Sequence, residues 1–137
     1  MKRVFADTNV FLRFLTRDEE GQFERAGHLF AAAAEGRVAL VTGPPVLFEL
    51  AWTLRRAYKV PRERCLDVLS ALAALRGLTL LDRERVEAAL ALARQNGREF
   101  ADAYIAASAS ATAEALATFD RADFARLGVE LWEWEGG

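Results

Sequence analysis

The stretch VFADTNVFLRFL, residues 4–15, changes its hydrophobic pattern at the middle. Val4, Phe5 and Ala6 make the short unbroken apolar run of a strand buried on both faces, and Val10, Phe11 and Leu12 open an apolar helix. Asp7, Thr8 and Asn9 stand at the joint, where they serve either as a turn or as part of a site. A turn asks nothing of the rest of the chain. A site asks for further polar groups at the same end of the sheet.

Outward from this joint, strand and helix patterns alternate. Residues 3–7 read as the first strand and 9–15 as the helix after it. Residues 18–36 carry helical spacing through Phe23, Ala26, Leu29 and Phe30, with Gly36 at the stop. RVALVTG (37–43) is a second strand, 44–59 a helix with proline early, where it is tolerated, and 61–75 a further helix. LTLLD (78–82) is a third strand, and a helix over 83–96 ends at Gly97. Residues 99–113 are helical, ALATFD (115–120) is a fourth strand, and VELWEW (129–134) is a short edge strand. This order predicts an α/β protein with a parallel sheet covered on both faces, whose functional groups collect at the carboxyl ends of the strands. The 137 residues, without repeats or linkers, fit one domain over 1–137.

Composition narrows the field. Apolar residues at 53% against 28% charged exclude a disordered tail, and a net charge of −2 lacks the basic field of a passive nucleic-acid coat. Cys65 is the only cysteine, so no intrachain disulfide forms and a reducing cytoplasm is expected. Its apolar helical neighbours Val68 and Leu69 mark it as a small buried thiol. His28 is the only histidine, which leaves a serine-type triad or a histidine-built zinc site little to draw on. No apolar run approaches the roughly 18 residues of a membrane span, and no signal-peptide pattern opens the chain.

The demand for further acids is met. Asp120 ends its strand as Asp7 ends the first, so parallel strands would place both on one edge. Asp102 falls in the first turn of its helix with Ile105 and Ala106 on its face, and Glu49 is the only charge in PPVLFELAWTL. Each has a plain structural reading: a helix cap, a complement to the helix dipole, or for Glu49 a pairing with Arg55 or Arg56. As a set they say more. Two carboxylates within about 5 Å repel by about 3 kcal/mol at an effective dielectric near 20, in a domain whose whole margin is about 5–15 kcal/mol. Convergence therefore needs raised pKa values or a divalent cation, and oxygen-only ligands suit Mg²⁺ or Mn²⁺ better than zinc. Such an ion with open water positions is an apparatus for cleaving phosphodiesters.

At these residues the chain resembles the PIN-domain ribonucleases, and in particular the VapC-type toxins of prokaryotic toxin–antitoxin pairs. The matching residues are ADTN after the first strand, Glu49 in the third helix, FADAYIAA around Asp102 and LATFDRADF around Asp120, a likeness running from Lys2 to about Leu131. The resemblance implies a three-layer α/β/α fold around a mostly parallel sheet of four to five strands. It implies an acidic pocket in which Asp7, Glu49, Asp102 and Asp120 hold Mg²⁺ or Mn²⁺ and cleave RNA, with Asn9 and Thr118 orienting the carboxylates. Asp123 either assists or only shapes a turn. An antitoxin partner and a homodimer are implied, and no membrane. Arg13, Arg98 and Arg121 are candidates for steering the RNA backbone.

Two rivals share the acidic strand ends. A phosphotransfer domain of the receiver or haloacid-dehalogenase type also binds Mg²⁺ there, but Asp7-Thr8-Asn9 lacks the second aspartate of the phosphatase pattern, and neither Lys2 nor Lys59 is placed to bind the phosphate. A non-catalytic module would use the same pocket to hold a partner's arginine.

Overall fold

Three strands form the sheet, β1 (Lys2–Phe5), β2 (Val38–Thr42) and β3 (Leu78–Leu80), in a computed structural model that describes residues 1–136. All pairings are parallel in the order β1-β2-β3, with Lys2 opposite Val38, Phe5 opposite Val41 and Thr42 opposite Leu80. Parallel neighbours need long crossovers. Here α1 (Thr8–Thr16) and α2 (Glu20–Ala34) link β1 to β2, and α3 (Pro44–Arg56) and α4 (Arg62–Ala73) link β2 to β3. After β3 come α5 (Arg83–Asn96), α6 (Phe100–Thr112) and the short α7 (Arg121–Ala125).

The carboxyl ends of β1 and β2 are tied together by a side chain. Thr42 is fully buried, and its Oγ1 donates to the Ala6 carbonyl at 3.0 Å. The backbone continues the seam, Ala6 N–H reaching Val41 O at 2.9 Å and Leu81 N–H reaching Thr42 O at 2.9 Å. A buried hydroxyl is tolerable only when paired, and here the pairing fixes where the strands stop. The core beneath is aliphatic: Leu47 and Leu50 of α3, Leu66 and Leu69 of α4 and Val86 of α5 are at or near zero exposure. Their spacing of three and four along each helix is what turns one stripe inward. Gly97 and Gly36 end α5 and the α2 segment with left-handed backbone, as their positions in the sequence predict.

The sheet is smaller than expected. The fourth strand predicted at 115–120 and the edge strand at 129–134 do not join it, and meet only at one parallel bridge, Leu116 to Leu131. The physical reason lies in the side chains. Leu116 and Leu131 pack with Ala106, Phe124, Leu127 and Val129 in a second apolar cluster, apart from the main core, while Ala115 and Ala117 have little strand propensity. No helix is long and apolar enough to cross a membrane among the described residues.

Gly77 enters β3 with φ of +86°, and a Cβ there would lie 2.2 Å from the Ala33 carbonyl oxygen. Gly77→Ala should therefore cost about 1–2 kcal/mol for the backbone conformation and more for displacing α2. A urea midpoint equal to that of the unaltered chain would show that this approach is not required.

Candidate active site

Aromatic packing sets the relation between α3 and α6. Phe48 on α3 packs on Phe100 and Tyr104 of α6, with ring centroids 5.4 and 4.9 Å apart. Beside them Arg55 forks onto Glu99, Nη2 to Oε1 at 2.6 Å and Nε to both carboxylate oxygens at 3.1 Å, and Nη1 donates to the Val60 carbonyl. The Glu99 hydrogen bond holds the Arg55 guanidinium above its ordinary pKa. Glu99 occupies the N-cap of α6 without capping it, because its carboxylate goes to Arg55. A cleft of about 770 Å³ opens between the two helices, with Glu49 on one wall and Asp102 on the other.

Glu49 is exposed and makes no ion pair among the described residues, so the pairing with Arg55 or Arg56 does not occur. Asp102 is half-buried. Burial first, then the charges of Asp123 and Glu99, raise its pKa above the usual aspartate range, against the opposing charge of Arg98. Asp120 stands exposed at the start of α7 without capping it. Its pKa is also raised, by loss of solvent, by a hydrogen bond with Asp123 and by the charges of Asp123 and Asp102. Asp102, Asp120 and Asp123 thus form one electrostatic group. Arg98 is its cation, 3.5 Å from Asp123, and the Arg98 Nε is buried without a hydrogen-bond partner.

The other predicted positions are placed differently. Asp7 is exposed at the carboxyl end of β1 and, although it is the N-cap of α1, its carboxylate makes no capping bond. Asn9 lines a separate hollow of about 490 Å³ between α1 and α2, with Arg13, Gln22 and Arg25 and with no acid in its walls. Thr118 acts on the Asp120 backbone, its Oγ1 accepting from the Asp120 amide at 3.0 Å. Among the described residues no three Asp, Glu, His or Cys side chains lie close enough to enclose a metal ion. Of the arginines, Arg13 donates to Gln22 and Arg121 to Glu133 and the Trp132 carbonyl. Cys65 is buried, and burial pushes its thiol up to about 11, so it takes no part.

Glu99 is the member that sequence reasoning did not carry into the site, and Asp123 is one it left between assisting and shaping a turn. The signal for Asp123 is its position three residues after Asp120, which a single helical turn brings alongside. For Glu99 no comparable signal exists, since its partner is 44 residues away.

A small parallel α/β fold with carboxylates on the walls of a cleft between two helices is the class these observations define. The PIN-domain family model matches residues 4–130, so this chain belongs to the PIN-domain family. PIN domains are in general nucleases, often Mg²⁺-dependent. No curated protein sequence matches the chain.

The raised Asp102 pKa gives a stability test. A carboxyl whose pKa is higher folded than unfolded destabilises the fold when ionised, fully above the folded value, and the penalty fades as pH falls towards about 3.9. In EDTA at pH 7, Asp102→Asn should melt at or above the temperature of the unaltered chain, and the difference should shrink at pH 4. A mutant that melts lower at pH 7 and keeps that deficit at pH 4 would show that the carboxylate has a structural partner.

Proposed function

We propose that this chain is a Mg²⁺- or Mn²⁺-dependent endoribonuclease and the toxin of a VapBC-type pair, acting in the cytoplasm. The observation that carries the reading is the placement of Glu49 and Asp102 on facing walls of one cleft, with Asp102 continuing into the Asp120–Asp123 group. Folding alone gives no reason to gather three acids around one arginine. An RNA phosphate would be repelled from such a cleft unless a cation accompanied it.

The residues present fit a hard divalent cation in donor chemistry, since all are carboxylates whose mutual repulsion a cation relieves. Mg²⁺ needs only one or two carboxylates, the rest of its shell being water and substrate phosphate, so an open set suits it better than a closed cage. Asp102 and Asp120 would hold the ion, with Asp7 contributing from the end of β1 and Glu49 from across the cleft. When bound, the ion supplies a lowered water pKa and charge neutralisation at the scissile phosphate. Glu49, exposed and unpaired, is placed to orient the attacking water and take its proton. In-line attack forms a bond from the water oxygen to phosphorus and breaks the bond to the 3′ oxygen. That oxygen takes up a proton, leaving a 3′-hydroxyl and a 5′-phosphate. Thr118 fills a supporting role by fixing the Asp120 backbone.

A homodimer and a cognate antitoxin that blocks the cleft with an arginine complete the proposal; both are compatible with an enzyme that is active when freed. Nothing favours the phosphotransfer alternative, because Lys2 lies on β1 and Lys59 in the turn after α3, neither beside the acids.

The purified chain should cleave RNA with millimolar Mg²⁺ or Mn²⁺ and stop on addition of EDTA. Glu49→Gln should lower kcat by about 10²–10⁴-fold, the range for losing a positioned acid–base group, and Asp102→Asn should lower activity and raise the Mg²⁺ concentration needed for it. Cleavage that survives EDTA, or Asp7→Asn, Glu49→Gln and Asp102→Asn variants that all cut at the normal rate, would overturn the assignment.

A further inference from the structure

One face of α3 is left over by the core, and the proposed chemistry uses only Glu49 on it. The helix buries Val46, Leu47, Leu50 and Leu54. The opposite stripe runs Pro45, Glu49, Trp52, Arg56 at helical spacing, and all four line the cleft. Trp52 is 62% exposed, although a tryptophan normally buries most of its large surface. Arg56 places its guanidinium 5.5 Å from the Trp52 ring centroid and has no carboxylate partner among the described residues. Its neighbour Arg55 is committed to Glu99.

We infer that Trp52 and Arg56 form a base-stacking subsite for single-stranded RNA beside the acidic wall; the inference rests on the nuclease reading of that wall. Trp52 follows Glu49 by three residues, so it lies about 4.5 Å further along the helix axis at a rise of about 1.5 Å per residue. A base resting on Trp52 therefore belongs to a nucleotide bordering the phosphate that Glu49 faces. Every base offers a flat face to an indole, and the unpaired Arg56 guanidinium meets the adjoining phosphate. A duplex keeps its bases stacked on one another and cannot supply that face. The subsite thus selects unpaired RNA by stacking, while the acids select the bond to be cut. The cleft of about 770 Å³ has room for a nucleoside, and its floor beside Trp52 is made by Phe48, Ala51 and Phe100.

The test compares the full chain with Trp52→Ala, Trp52→Phe and Arg56→Ala on a short unstructured RNA, on the same RNA with an abasic nucleotide at one position, and on its blunt duplex. Trp52→Ala should raise KM by about 5- to 150-fold on the unstructured RNA, the loss expected for one stacked base, with kcat changed far less. Trp52→Phe should recover part of the loss, and Arg56→Ala should weaken binding and flatten its salt dependence. An abasic nucleotide should penalise the unaltered chain but not Trp52→Ala when it falls at the stacking position. Because Trp52 is exposed, melting temperatures of the variants should fall by no more than about 5 °C, the shift expected for losing the Arg56–Trp52 contact. If the parent cuts RNA and Trp52→Ala keeps the same KM, the subsite is wrong and the nuclease reading stands, leaving this face to a protein partner. Trp52-dependent binding without cleavage would keep the subsite and remove the nuclease. Equal binding of duplex and single strand would overturn the inference outright.

Discussion

The bond between Arg55 and Glu99 is the constraint on which the cleft depends. Glu49 and Asp102 lie on helices from distant parts of the chain, and their facing geometry is useful only if those helices keep a fixed relation. Catalytic groups displaced by about 1 Å lose much of their effect. The guanidinium fork, with its further bond to the Val60 carbonyl, fixes three directions at once. Both partners are partly exposed, with side-chain exposures of 31% and 44%, so the pair is worth only on the order of 1 kcal/mol. Its value is positional. The Phe48, Phe100 and Tyr104 rings supply the apolar area that presses the helices together, and the fork sets their register.

That arrangement has an electrostatic consequence on α6. Glu99 sits at its N-cap and Asp102 in its first turn, where negative charge is welcome to the helix dipole. Yet the Asp102 carboxyl is held above its ordinary pKa, because burial, Asp123 and Glu99 outweigh Arg98. Arg98 is pulled towards Asp123 and leaves its own Nε buried and unbonded. A fold selected only for stability would remove one of these acids or add a second cation. Local rules broken in company are the mark of a candidate functional site.

Much of this was legible in the sequence, for reasons that particular residues make plain. The strands at 38–42 and 78–80 fall within those predicted, and the one at 2–5 overlaps the predicted 3–7, because short apolar runs flanked by turns leave few alternatives. The helix over 83–96 has the predicted bounds, since Gly97 adopts the left-handed conformation that ends it. The segment 115–120 was misread because pattern alone does not say which neighbour a leucine will meet. Leu116 turns to Phe124 and Leu127 instead of to the sheet. The candidate acids were visible as charges in apolar company, but their grouping was not. The order of acids along a chain does not reveal that Asp102 shares one cleft with Glu49 and one field with Asp123. Asn9 illustrates the same limit, as a position near Asp7 in sequence that faces a basic hollow in space.

The contrast between the two faces of α3 carries the argument from folding to function. Burying Leu47 and Leu50 completely, at about 1.5–3 kcal/mol each, holds this helix on the sheet and explains every residue of its inner stripe. Nothing in that energetics accounts for the outer stripe. An exposed tryptophan contributes little to stability, a lone glutamate beside it contributes nothing by pairing, and an arginine over an indole is worth about 0.5–1 kcal/mol at such a site. These three residues cost side-chain freedom whenever they are ordered and gain little from the fold. A negative group, an aromatic plate and a free cation in that order are the complements of an attacking water, a base and a phosphate. The inner stripe is therefore accounted for by the protein's own core, and the outer stripe is accounted for by the proposed RNA subsite and not by the fold.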